Sequence, residues 1–293
     1  MKRRDLLKGL LTGISALVLA PAFGRGTAGM VGPDAEGALA ALERLSGGRL
    51  GVSILDTATG HRIGHRGDER FLMCSTFKLL AVAAVLARVD QGMEQLDRHV
   101  MFDKSVLLEY APVTSRQVGA PGMTIAGLCE AAITVSDNTA ANLLLSSLGG
   151  PNSVTTFVRG LGDPVTRLDR TEPELNLGSP DDIRDTTTPD AMLATMHKLL
   201  LGSALSVNSR GRLLGWLRNC RTGAEKLRAG LPSTWAVGDK TGSGSQGETN
   251  DVAIVWPPGR GPLLVAAYYA GSDVSPSARN SVLANVGRIA ASI

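Results

Sequence analysis

Strand-like segments stand at both ends of this chain and enclose a long stretch that reads as helix. Leu50 to Leu55 reads as a strand, Thr57-Ala58-Thr59-Gly60 as a turn, and His61 to His65 as a returning strand. The pattern resumes late, at Thr234 to Lys240, Val252 to Trp256 and Leu263 to Tyr269, with Thr241-Gly242-Ser243-Gly244 and Pro257-Pro258-Gly259 as connections. Between them, Thr76 to Asp90 is apolar and alanine-rich enough for a buried helix. Further helical spacing covers Ile125 to Val135, Asn138 to Leu148, Val154 to Leu161 and Pro189 to Leu201, so the stretch from Ser75 to about Arg218 is expected to be all-helical. Ala35 to Leu45 and Pro276 to Ala291 add a helix near each end. Such an order suggests an α/β fold of the α+β kind, an antiparallel sheet built from both chain ends and flanked by helices, plus an all-helical lobe. The expected division is 29–67 with 219–293 as the α/β domain and 68–218 as the helical domain, with the groove between them as the default place for a site.

With 293 residues, 43% of them hydrophobic and 19% charged, the chain can bury a real core and is not of disordered composition. No repeat of solenoid or propeller type is present. Residues 1–28 read as an export signal: the basic Lys2-Arg3-Arg4-Asp5-Leu6-Leu7-Lys8 precedes an apolar run from Leu10 to Ala20, too short to span a bilayer, and Ala20-Pro21-Ala22 offers a cleavage site. Arg3-Arg4 followed by Leu6-Leu7-Lys8 resembles a twin-arginine signal. Cutting after Ala22 removes four basic residues and one acidic one, taking the balance from 30 against 27 to 26 against 26. The basic character is therefore largely the leader's, and nothing points to nucleic acid or an anionic membrane as partner. Cys74, Cys129 and Cys220 have no zinc-type spacing, and His61 and His65 lie among glycines, so no metal and no cofactor are expected.

Ser75-Thr76-Phe77-Lys78 places a serine and a lysine at i and i+3 at the start of the buried helix, on one face, so the amine can reach the hydroxyl. The helix N-terminus favours developing negative charge there and helps lower the lysine pKa. Ser136-Asp137-Asn138 opens a later helix, and Lys240-Thr241-Gly242 ends a strand. Taken singly, each has a plain structural explanation: a capping serine with a solvated lysine, helix caps, a turn glycine. S-x-x-K, S-D-N and K-T-G in this order are an established signature of class A β-lactamases and penicillin-binding proteins. Arg170-Thr171-Glu172-Pro173-Glu174-Leu175-Asn176 adds an E-x-x-L-N loop, although Glu172-Pro173-Glu174 alone could be an acidic helix start. Tyr110-Ala111-Pro112, Lys226-Leu227-Arg228-Ala229-Gly230 and Asp239 complete the likeness.

Over nearly all of its mature length the chain resembles the class A serine β-lactamases. The resemblance implies hydrolysis of penicillins and cephalosporins by an exported, periplasmic or secreted monomer whose partners are β-lactam substrates and β-lactam-type inhibitors. It implies Ser75 as nucleophile, the backbone N–H groups of Ser75 and Ser243 as oxyanion hole, Ser136 as proton relay, and Lys240, Thr241, Gly242, Ser243, Asn138 and Tyr110 around the substrate. Lys78 directly, or Glu172 through a water, would take the Ser75 proton. Glu172 and Asn176, at i and i+4, would hold the hydrolytic water within one helical turn. Arg170 and Asp185 would close that loop with an ion pair. An arginine often found in the strand after K-T-G is replaced by Thr249, leaving Lys226 or Arg279 to supply the charge. The family's usual partners for Cys74 and Cys129 are replaced by Gly244 and Val82, so all three thiols are expected free. A penicillin-binding D-alanyl carboxypeptidase or transpeptidase shares the nucleophile but lacks the E-x-x-L-N loop, and a non-hydrolysing β-lactam sensor would usually be tethered to a membrane.

Overall fold

The computed structural model describes residues 35–179 and 181–293; the leader expected over 1–28 lies outside them. Helix α1 (Ala35–Ser46) leads into β1 (Arg49–Asp56) and β2 (Arg62–His65), followed by the two-residue β3 (Phe71–Leu72). Next come α2 (Phe77–Asp90), β4 (His99–Phe102), β5 (Gly119–Thr124), α3 (Ile125–Thr134), α4 (Asn138–Leu148) and α5 (Asn152–Gly160). After a long loop, β6 (Thr186–Thr187), α6 (Pro189–Leu200), α7 (Val207–Arg218) and the single turn α8 (Leu227–Gly230) lead to β7 (Ala236–Ser243), β8 (Thr249–Trp256), β9 (Leu263–Ala270) and α9 (Pro276–Ala291).

The two ends of the chain do build one antiparallel sheet, in the order β2-β1-β9-β8-β7. β1 pairs along its whole length with β9, from Arg49 opposite Ala270 to Asp56 opposite Leu263. Strand periodicity sends alternate side chains to opposite faces. Leu50, Val52, Ile54, Val265, Ala267 and Tyr269 face Leu39 of α1 and Val282, Leu283 and Val286 of α9. Their neighbours Leu264, Ala266 and Tyr268, with Val252 and Ile254 of β8, join the second core on the other side. A sheet covered on both faces explains why Leu263 to Tyr269 is apolar without alternation. Where α8 crosses α9, a Cβ on Gly230 would stand 1.7 Å from the Ala284 carbonyl oxygen, so only glycine permits that approach.

The second core is centred on α2, whose residues from Phe77 to Leu86 are all buried, as expected of a helix apolar on every side. It packs against α3, α4, α5 and α7. The intervening stretch is not all-helical, however. β4 pairs with β5, with Val100 opposite Met123, and β3 pairs with β6, with Phe71 opposite Thr187. These ribbons are short, and Gly119-Ala120-Pro121-Gly122 carries no apolar alternation, so periodicity could not reveal them. Helix α7 was hidden too, because Gly211 and Gly215 weaken its helical pattern. Its start is set by Ser206, which accepts from the Ser209 N–H at 3.1 Å. Cys74, Cys129 and Cys220 are buried and unpaired.

The loop joining α5 to β6 is closed by Asp185, which is fully buried and adopts a positive φ of 58°. Its carboxylate accepts from the backbone N–H groups of Asp169 at 2.7 Å and Arg170 at 2.9 Å, and from Arg170 Nε at 2.6 Å. Removing a buried partner leaves the other charge uncompensated. Asp185→Asn is therefore expected to destabilise the fold by about 2–3 kcal/mol, less than for a wholly buried pair because Arg170 is partly solvated. In a domain of this size that lowers Tm by about 5–10 °C in thermal unfolding, and an unchanged Tm would contradict the anchor.

Candidate active site

Ser75 sits in a 3-10 turn, Cys74–Thr76, that runs directly into α2. Preceding it, Cys74 has a φ of 45°, a conformation costly for a non-glycine residue and held by its surroundings. Met73 donates its N–H to the Asp185 carbonyl at 2.9 Å, and its carbonyl accepts from Thr76 Oγ1 at 2.7 Å. Asn250 Nδ2 on β8 donates to the carbonyls of Leu72 and Met73, at 2.9 and 3.1 Å. The Ser75 turn is thereby fastened both to the sheet and to the loop closed by Asp185.

Three residues on, Lys78 is fully buried and donates to Ser75 Oγ at 2.9 Å. Its ammonium also reaches the Ser136 carbonyl at 2.9 Å, Ser136 Oγ at 3.2 Å and Asn138 Oδ1 at 2.6 Å, and pairs with Glu172 Oε1 at 3.1 Å. Burial lowers the Lys78 pKa, and the Glu172 carboxylate opposes that shift. Asp137 is the capping residue of the S-D-N motif: its carboxylate accepts from the N–H of Ala140 at 2.8 Å and from those of Val113 and Thr114 at 2.9 Å. This cap fixes Ser136, at a φ of 60°, and Asn138 on either side of it.

Glu172 enters from the loop and is 2% exposed. Ser75 Oγ donates to its Oε1 at 3.2 Å, and Asn176 Nδ2 donates to its Oε2 at 2.6 Å. The two residues meet through a 3-10 turn, Glu174–Asn176, rather than the expected turn of α-helix. Asn142 of α4 grips the Glu172 backbone from both sides, donating to its carbonyl at 2.8 Å and accepting its N–H at 2.9 Å. Asn176 Oδ1 is buried with no protein donor.

The opposite wall is β7. Lys240-Thr241-Gly242 does not end this strand but lies inside it, since pairing with β8 continues to Ser243 opposite Thr249. Gly242 is needed because a Cβ there would lie 2.8 Å from the Met73 carbonyl oxygen. Lys240, fully buried, donates to Ser136 Oγ at 3.1 Å and to the Thr241 carbonyl at 2.8 Å. Two ammonium groups thus converge on one hydroxyl. Burial, with the Lys78 charge second, lowers the Lys240 pKa to about 8.

A cleft of about 280 Å³ gathers Ser75, Tyr110, Ser136, Asn138, Glu172, Asn176, Thr241, Gly242 and Ser243, with Lys78 and Lys240 behind its floor. The candidate catalytic and substrate-contact residues of the sequence are thereby brought together. Thr222 and Lys226 also line the cleft. Of the two candidate cations, Lys226 faces it, whereas Arg279 lies against Gly247 at the β7–β8 connection. Thr222, Asn142 and Asn250 belong to no motif, and no sequence signal marked them. A larger cavity of about 640 Å³ opens beside β2 and α6, where two hydroxyls are tied to carboxylates, Ser53 to Asp190 at 2.6 Å and Thr195 to Asp163 at 3.0 Å.

The sequence model of the beta-lactamase enzyme family matches residues 34–293. Beta-lactamase CTX-M-8 of Citrobacter amalonaticus is 49% identical over 256 residues, covering 87% of this chain and 88% of its own length. Beta-lactamase L2 of Stenotrophomonas maltophilia is 50% identical over 252 residues, covering 86% of this chain and 83% of its own. Among solved structures, an ancestral (GNCA) class A β-lactamase superposes with a TM-score of 0.86 at 61% identity, covering 87% of this chain and 98% of its own. A putative class A β-lactamase, PenP, from Rhodopseudomonas palustris gives a TM-score of 0.86 at 54% identity, over 88% of this chain and 98% of its own. The chain therefore belongs to the beta-lactamase enzyme family and, within it, to class A.

Proposed function

We propose that this β-lactam hydrolase opens penicillins and cephalosporins through a covalent ester on Ser75, released by a water that Glu172 activates. The observation that carries this reading is the contact of Ser75 Oγ with Lys78 Nζ at 2.9 Å and with Glu172 Oε1 at 3.2 Å. Five acceptors surround Lys78 Nζ, more than its three protons can serve, so the resting state favours the ammonium. Lys78 then donates to Ser75 Oγ, while the Ser75 hydroxyl hydrogen points to Glu172. This arrangement favours Glu172 as the acceptor of the Ser75 proton.

Attack by Ser75 Oγ on the lactam carbonyl forms a C–O bond and places negative charge on the carbonyl oxygen, which the backbone N–H groups of Ser75 and Ser243 would receive. Collapse breaks the C–N bond, and Ser136 passes a proton to the ring nitrogen, drawing on the lysines that contact its hydroxyl. Lys78, once it has resupplied Ser136, takes up across their 3.1 Å contact the proton that Glu172 had from Ser75, which leaves Glu172 a carboxylate again. A water held between Glu172 and Asn176 then gives its proton to Glu172, attacks the ester carbonyl and releases Ser75 Oγ, to which Glu172 returns the proton. Lys240, Thr241 and Lys226 would bind the substrate carboxylate, Asn138 the side-chain amide, with Tyr110 at the rim.

The leader supports export to the periplasm or the medium, by the twin-arginine route. Among the described residues no helix is long and apolar enough to cross a membrane.

A chromogenic cephalosporin mixed with the purified protein should be turned over many times per molecule, and Ser75→Gly should abolish the reaction. A burst of one equivalent without further turnover would instead favour a penicillin-binding protein or sensor. A second expectation follows from Lys240, whose charged form persists only below a pKa of about 8. The kcat/KM for a carboxylate-bearing substrate should therefore fall as pH rises through about 8, because the free enzyme loses its carboxylate-binding cation. In the complex, the bound carboxylate holds the proton more tightly, so the corresponding limb of kcat should lie at higher pH. A kcat/KM profile that stays level well above about 8 would contradict this role.

A further inference from the structure

Thr222 lies in the loop between α7 and α8 and reaches the cleft although no motif contains it. Its Oγ1 is 2.5 Å from Thr241 Oγ1 and 3.3 Å from Cys220 Sγ. The loop is fixed at its start: the Cys220 N–H donates to the Leu217 carbonyl at 3.1 Å and the Arg221 N–H to the Thr134 carbonyl at 2.8 Å. Cys220 and Thr222 are thus held by the ends of α7 and α3.

Each threonine hydroxyl has one hydrogen and two acceptor positions. Across the short contact, only one of the two can donate to the other. If Thr241 donates to Thr222, its hydrogen is consumed and it has none for a substrate carboxylate. If Thr222 donates, the Thr241 hydrogen is released towards the cleft and its oxygen is polarised by the bond it accepts. Thr222 can then accept from the Cys220 thiol. Burial, followed by the negative charge of Asp239, raises the Cys220 pKa, which keeps that S–H available as a donor.

We infer that Thr222, supported by Cys220, is a positioning residue for substrate-carboxylate recognition, because the chain Cys220 Sγ, Thr222 Oγ1, Thr241 Oγ1 aims the Thr241 hydroxyl into the cleft. The arrangement matters more here because the strand after K-T-G carries Thr249, which is buried and bonded to the Gly247 carbonyl, in place of a cation. The inference rests on the reading of the Ser75 cleft given above.

The test compares a chromogenic cephalosporin as its free carboxylate and as its methyl ester. Thr222→Val removes the hydroxyl and nearly keeps the shape. For the carboxylate, kcat/KM should fall about tenfold, chiefly through KM, as for one lost hydrogen bond to a charged group, while kcat/KM for the ester should change less than about twofold. Thr222→Ser, which keeps the hydroxyl, should retain the parent preference for the carboxylate. Cys220→Ala should shift that preference in the same direction by about two- to threefold, the size of a weak neutral hydrogen bond. Cys220→Ser should restore it.

An equal loss on acid and ester, or no loss on the acid, would overturn the role of Thr222. Should Thr222→Val not fold, the Cys220→Ala comparison carries the same test with the same signs. Failure of the unmodified protein to turn over the carboxylate form would instead sink the reading of the Ser75 cleft, and this inference with it.

Discussion

A lysine ammonium with no solvent contact is the constraint around which the molecule is arranged. Burying a charge in a protein interior is strongly unfavourable unless it is paired and hydrogen-bonded. Lys78 meets that demand only because three parts of the chain converge on it: Ser75 from its own turn, Ser136 and Asn138 from the entry to α4, and Glu172 from the α5–β6 loop. The same convergence places a hydroxyl, an amine and a carboxylate within mutual hydrogen-bonding distance. The groups that stabilise the buried charge are also those that acyl transfer requires.

Asp185 carries this constraint from one element to the next. Its carbonyl accepts the Met73 N–H, two residues before Ser75, and its carboxylate accepts the Arg170 N–H, two residues before Glu172. A single buried residue therefore sets the spacing between the Ser75 turn and the loop that carries Glu172. Asn250 does the corresponding work towards the sheet, and the missing side chain of Gly242 lets β7 close on the Met73 carbonyl. Small displacements at any of these positions would reach Ser75, because packed interiors transmit strain.

Much of this was legible in the sequence because its motifs are local and their chemistry depends on spacing. Ser75 and Lys78 share a helical face, and strand-like segments at both chain ends suggest one sheet assembled from the two. The expected all-helical middle failed where short ribbons, β3 with β6 and β4 with β5, are held by a single partner and show no alternation. The extension of β7 past Gly242 to Ser243 was missed because Thr241-Gly242-Ser243-Gly244 reads as turn chemistry, whereas the pairing with Thr249 and Asn250 keeps it extended. Asn142, Thr222 and Asn250 act through contacts between distant segments, which no local pattern encodes. The choice between Lys226 and Arg279 also needed the fold, since both are basic and only their placement against the cleft differs.

The central claim, that Glu172 serves to release the acyl group from Ser75, is tested most directly by intact-protein mass spectrometry of Glu172→Gln mixed with benzylpenicillin. The glutamine keeps the size of the side chain and can still accept from Asn176, but it has no carboxylate to take a proton from water. General-base assistance is typically worth about 10²–10⁴-fold, so deacylation should slow far more than acylation. The account predicts a protein carrying the antibiotic at Ser75 for minutes or longer, with no adduct in Ser75→Ala. Turnover by Glu172→Gln at the rate of the unmodified protein, without an accumulating adduct, would contradict it.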